Sequence, residues 1–161
     1  MDKIEFQIQR GIEYPESKVA RILINDRDLI DLLKEYELPL AKKEGKETIA
    51  GAYDGLNPDT LRRYLVNPDW YDKDDNGKVS VLGCDCLVED CWPMKVKIQE
   101  SEGTIIWTEF EQPWRNGKDC KIWDYTGFGH FKFDRWDYYG QLTNLREKWD
   151  RTMKQPQFLQ Y

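Results

Sequence analysis

Ile4, Phe6 and Ile8 alternate with Glu5, Gln7 and Gln9, the period-two pattern of a strand with one dry face. Ala20 to Ile24 reads as a second strand, and Gly11 and Pro15 punctuate the connection between them, so the two are expected to pair. Asn25 or Asp26 then offers a side-chain oxygen to the free amides of a first helical turn, and Leu29, Ile30, Leu33 and Tyr36 follow at helical spacing. The spacing predicts a helix over 26–37, ended by Pro39, which lacks the amide needed to continue it.

Asn57-Pro58-Asp59 repeats a helix start, with a polar cap, a proline at the first helical position and an acid where the macrodipole favours one. A short helix over Thr60–Val66 is expected, stopped by Asn67-Pro68. Val79 to Leu82 predicts a third strand. Met94, Val96 and Ile98 alternate with lysines and a glutamine, and Ser101-Glu102-Gly103 separates them from Thr104 to Phe110. That is a hairpin, with a loop of roughly three or four residues in which Gly103 supplies a positive φ. Phe131 to Phe133 makes a last strand. Asp134 then caps a closing helix whose Tyr138, Leu142, Leu145, Trp149 and Met153 form one apolar stripe. Strands that come in runs predict a single α+β domain over residues 1–161: a mainly antiparallel sheet, an internal helix after the second strand and a C-terminal amphipathic helix.

Composition narrows the class. A chain of 161 residues with 40% hydrophobic content, 7 Trp, 9 Tyr and 6 Phe is too aromatic to be disordered or low-complexity. Lys plus Arg total 24 against 30 Asp plus Glu, a formal charge of −6 that makes duplex phosphate a poor partner. The basic run Lys42-Lys43-Glu44-Gly45-Lys46 is interrupted by an acid and carries no stacking aromatics, so nucleic acid is not an expected partner. Charges at every second position near Met1 predict no secretory leader, and apolar stretches such as Ile22-Leu23-Ile24 are far too short to span a membrane. A cytoplasmic protein is expected, in a compartment where thiols stay reduced, so the 4 Cys point to a metal, a reactive thiolate or plain burial before a structural disulfide.

Cys84, Cys86 and Cys91 fall within Gly83 to Pro93, between two predicted strands, and can converge if the connection folds back. Zinc gains from such convergence because it binds thiolates tetrahedrally and deprotonates them as it does so. Cys120 or the single histidine, His130, is available to complete the set. Two other readings stand beside zinc. Free cysteine packs like a small apolar residue, so Cys84 and Cys86 can simply continue the Val79–Val81 strand. A reactive thiolate, with His130 as its acid-base partner, makes the chain a cysteine enzyme of hydrolase or redox type; Asp85, Glu89 and Asp90 crowd the thiols with negative charge and count against it. Asp72, Asp74, Asn76 and Ser80 follow part of a calcium-loop pattern, but Gly83 stands where a bidentate Glu is needed, which favours a plain turn.

Aromatic residues crowd the last third of the chain. Within it, Trp123-Asp124-Tyr125-Thr126-Gly127-Phe128-Gly129-His130 combines rings, an acid and two glycines in one connection. Trp123, Asp124, Tyr125 and His130 are the candidate binding residues, since rings stack on flat groups while a carboxylate and an imidazole hold polar ones.

The combination Gly83-Cys84-x-Cys86, Cys91-Trp92-Pro93, Phe110-x-Gln112-Pro113 and Trp123-Asp124-Tyr125-x-Gly127-x-Gly129-x-Phe131-x-Phe133-Asp134-Arg135 resembles a family of uncharacterised bacterial proteins of similar size, over about Ile22 to Leu142. The resemblance implies a bacterial, intracellular setting and carries no mechanism. In that pattern a histidine often follows the Gln-Pro pair, where this chain has Trp114, and Cys120 lies outside it. The function expected from these readings is a small binding or interaction protein with a protein partner, its Cys loop and its Trp123–His130 loop lying together at one end of the sheet, with or without zinc.

Overall fold

Burial follows the chemistry of the alternating segments. In the computed structural model, which describes residues 1–118 and 121–155, β1 (Ile4–Arg10) buries Ile4 and Phe6 and pairs antiparallel with β2 (Lys18–Ile24), Ile4 facing Ile24. Asn25 and Asp26 do not cap a helix. Both take positive φ (52° and 68°) and form a two-residue turn into β3 (Arg27–Asp28), in which Arg27 faces Ile24. Asn and Asp tolerate this left-handed geometry because their short polar side chains bond locally. Asn25 Oδ1, for instance, accepts from Lys3 N at 2.9 Å.

The cap therefore moves to Asp28, which accepts from Ile30 N at 2.8 Å and opens α1 (Leu29–Lys43). Pro39 does not end this helix, contrary to the sequence expectation. It lies on the exposed face, one turn beyond the exposed Glu35. The carbonyl left without its amide partner thus meets water, while Leu33, Glu37 and the buried Ala41 hold the other face in the core. Asn57 caps α2 (Pro58–Val66) through Asp59 N and Thr60 N, as its sequence requires.

Among the described residues eight strands form two antiparallel sheets rather than one: β1-β2-β3, and a five-stranded meander of β4 (Tyr53–Asp54), β5 (Val79–Cys84), β6 (Met94–Ser101), β7 (Thr104–Glu111) and β8 (Phe131–Asp134). The β6–β7 hairpin is tighter than predicted. Ser101 faces Thr104 and only Glu102 and Gly103 turn, both at positive φ. Single bridges join the sheets, Asp2 with Phe133 and Ala20 with Leu56. The resulting α+β core is shared, with Ile22, Leu33, Leu61, Leu82, Trp107 and Tyr138 all buried in it. Asp134 caps α3 (Arg135–Met153) through Asp137 N, and the helix lies against β1 and α2. Its stripe stops one residue early: Trp149 is buried, whereas Met153 is exposed. No helix among the described residues is long and apolar enough to cross a membrane.

The junction between the sheets depends on Gly55. A Cβ there collides with the Ala20 carbonyl oxygen and lies 2.8 Å from its carbon, beside the hydrogen bond from Ala20 N to Leu56 O (2.8 Å). Gly55→Ala is expected to lower stability by about 3 kcal/mol in urea unfolding. Gly140→Ala, in α3 with open space around it, is expected to raise it by about 0.5–1 kcal/mol. Equal effects of the two substitutions contradict this account of the junction.

Candidate metal centre and the aromatic loop beside it

β5 is buried along its whole length, and its last residue, Cys84, enters the candidate centre from the core side. Gly83 permits the return of the chain, since a Cβ there lies 3.3 Å from Glu89 Cα and 3.2 Å from Leu56 Cδ2. After Cys84 the chain turns through Asp85 and Cys86. Leu87 adopts a left-handed φ of 66° and donates its amide to Cys84 O at 2.9 Å, an unusual state for a branched residue. A short 3-10 turn, Glu89–Cys91, follows. The outcome is that the sulfurs of Cys84, Cys86 and Cys91 all lie within 4.8 Å of one another, and these three are free thiols.

That spacing matches a shared thiophilic ion. Thiolates about 2.3 Å from a tetrahedral zinc stand about 3.8 Å apart, within reach of small side-chain rotations. Among the described residues the group is made of three sulfurs, which favours a soft or borderline ion over calcium or magnesium, and Asp85 Oδ1 accepts from Cys84 Sγ beside it at 3.5 Å. The three thiols differ in environment. Cys84 is buried, Cys86 half-buried and Cys91 exposed. Burial pushes the Cys84 thiol up to about 12. The Val88 amide, followed by the Cys84 thiol, holds Cys86 below its ordinary value. Burial thus disfavours the Cys84 thiolate, and a cation held by the three sulfurs would favour it.

The loop is tied down on three sides. Asp85 N donates to Ala52 O (3.3 Å), Tyr64 Oη to Glu89 Oε2 (3.1 Å) and Trp114 Nε1 to Asp90 O (3.1 Å). Position 114 thus stands beside the cysteines, but an indole donates and has no lone pair to give a metal. Trp92 meets Trp123 edge to face at 6.1 Å, and the Arg115 guanidinium lies over both rings at 5.0 and 5.6 Å. Glu44 takes Arg115 at 3.4 Å and Trp123 Nε1 at 2.6 Å. The sulfur-bearing loop and the aromatic loop are therefore neighbours, joined by rings and one shared cation.

A deeper connection was not read from the sequence. Glu37 is fully buried, and its carboxylate accepts from Tyr53 Oη (2.6 Å), Tyr125 Oη (2.6 Å) and Gly51 N (2.9 Å). Gln112 Nε2 donates to Tyr53 Oη (3.2 Å) and to Pro93 O (2.9 Å), next to the cysteine loop. The signal was present, since Glu37 follows Ile30 and Leu33 by seven and four residues, an acid on the apolar stripe of α1. Desolvation raises its pKa, opposed by the hydroxyl and amide donors.

The candidate binding residues share a second location. Trp123, Asp124, Tyr125 and His130 border one open depression of about 530 Å³, with Lys78, Glu111 and Phe128. Trp123 and Tyr125 are only 5% and 6% exposed, so their rings belong mainly to the core, while Asp124 and His130 are exposed. Asp124 accepts from Thr126 N at 2.9 Å, which holds its carboxyl below the ordinary range. Cys84 borders a different hollow, with Leu56, Leu87 and Trp149. Cys120, the candidate fourth ligand, lies outside the described residues. The calcium-like acids are occupied by the turn itself: Asp74 accepts from Asn76 N and Lys78 N, and Asp72 from Asp69 N and Arg63.

Glu37→Gln leaves one of the three donors without an acceptor, because an amide offers a single oxygen. It is expected to cost about 2 kcal/mol. The raised folded pKa means that wild-type stability from this group is present in full below its ordinary value of 4.5 and falls as pH rises through the folded value. The stability gap between wild type and Glu37→Gln is therefore larger at pH 4.5 than at neutral pH. Urea titrations at the two values check this, and a gap that widens towards neutral pH contradicts it.

Comparison with protein-family models, with curated proteins and with solved structures finds no match for this chain.

Proposed function

We propose that this is a metal-ordered binding protein, in which zinc on Cys84, Cys86 and Cys91 stiffens the end of the sheet that meets a protein partner. The observation that carries the reading is the convergence of three thiols within 4.8 Å in a connection with few backbone hydrogen bonds of its own. A bound ion would add order at the sulfurs to a loop otherwise tied through Asp85, Glu89 and Asp90. Val88 and Trp114 are 59% and 54% exposed around it, and Asp85 and Asp90 stand beside them. With a chain charge of −6, such a surface suits a partner carrying Lys and Arg. A reducing, intracellular setting and the bacterial grouping implied by the sequence pattern belong to the same proposal.

The competing reading, a thiolate enzyme, draws support from the depressed pKa of Cys86. His130 borders the aromatic depression, whereas Cys84 borders another hollow, which sets that one pair apart.

Elemental analysis of protein purified without chelators tests the metal. About one zinc per chain is expected, with Cys84→Ser and Cys86→Ser each losing it while keeping the wild-type circular dichroism. A wild-type chain that takes up no zinc even when refolded with excess ion contradicts the proposal.

A further inference from the structure

The same three sulfurs differ in their access to solvent, and that difference gives them separate oxidation chemistry. Cys91 is exposed and Cys86 is half-buried, both in the irregular connection, whereas Cys84 is 7% exposed at the end of a buried strand. Within the connection from Cys86 to Cys91 one backbone bond runs from Cys91 N to Val88 O at 3.2 Å, and its ties to the rest of the chain act at Glu89 and Asp90, leaving the two cysteines outside them. Its sulfurs already lie within 4.8 Å, and a disulfide requires them to close to about 2.05 Å. A short loop outside the sheet accommodates that movement; the buried strand carrying Cys84 does not.

We propose that Cys86 and Cys91 are a covalent modification site for peroxide, which joins them as a disulfide and leaves Cys84 as a free thiol. The Cys91 sulfur attacks one peroxide oxygen, the O–O bond breaks, and Cys91 sulfenic acid and one water form. The Cys86 sulfur then displaces the hydroxyl, which leaves as a second water with the Cys86 proton. Two thiols are oxidised by two electrons and one hydrogen peroxide is reduced. The bond withdraws two of the three sulfurs from any shared ion, so a metal held there is released. This last consequence rests on the metal reading given above; the disulfide does not.

The experiment treats the purified full-length protein with hydrogen peroxide, with and without bound zinc, and follows it by intact mass, peptide mapping and a chromophoric zinc chelator. The expected result is loss of two hydrogens per chain, a Cys86–Cys91 peptide reversed by dithiothreitol, and alkylation of Cys84 only after denaturation. Zinc release should track disulfide formation one for one. Cys86→Ser is expected to stop at a Cys91 sulfenic acid that dimedone traps. A bond that includes Cys84 or Cys120, or progression of Cys91 to sulfinic acid without any bond, overturns the proposal. A protein that takes up no zinc even from excess ion, yet still forms the Cys86–Cys91 bond, refutes the metal reading and leaves this modification site standing.

Discussion

A carboxylate placed in a dry core has to be given hydrogen bonds there, and Glu37 receives them from three separate parts of the chain. Tyr53 comes from β4, Tyr125 from the aromatic loop and Gly51 from the turn after α1. Through Tyr53, Gln112 reaches Pro93, where the cysteine loop rejoins the sheet. One buried acid thus sets the position of the helix, the second sheet and both candidate loops. An unpaired charge in this position costs several kcal/mol, so the donors and the acid specify one another. The contact also explains why Tyr53 and Tyr125 are tyrosines: each needs a ring for the core and a hydroxyl for the carboxylate.

The cysteine loop inherits this framework and adds little regular structure of its own. Its shape comes from three particulars: Gly83 admits the backbone of Glu89, Leu87 takes a left-handed turn, and Trp92 is held against Trp123 by Arg115. Thiols brought together at the end of a strand, with one sulfur in the core and one in solvent, form a donor set that could hold a metal ion. The aromatic depression is a separate surface. It shares Trp123 with the framework of the cysteine loop, so the two faces are mechanically linked without sharing chemistry.

Local periodicity made most of the fold legible, since β1, β2, α2, the β6–β7 hairpin and α3 announce themselves by spacing and caps. The differences arise where a long-range contact outweighs a local rule. Pro39 is tolerated because its freed carbonyl faces water, and Asn25-Asp26 turns a hairpin because β3 is there to pair. Two-residue strands such as Tyr53–Asp54 carry no period to detect. The junction between the two sheets rests on Gly55, whose meaning depends on Ala20, thirty-five residues away. At the candidate site the thiols were legible as a cluster able to converge, while the way the chain folds back, through the left-handed Leu87, was not. Glu37 was visible as an acid on an apolar stripe, but its three donors come from segments that only the folded chain assembles.

On the proposed reading, three thiolates share one ion in the loop that Gln112 links to the buried acid. Zinc K-edge X-ray absorption on the zinc-loaded protein tests this most directly. The account predicts a first shell dominated by sulfur, three scatterers at about 2.3 Å. A shell made only of nitrogen and oxygen near 2.0 Å contradicts it.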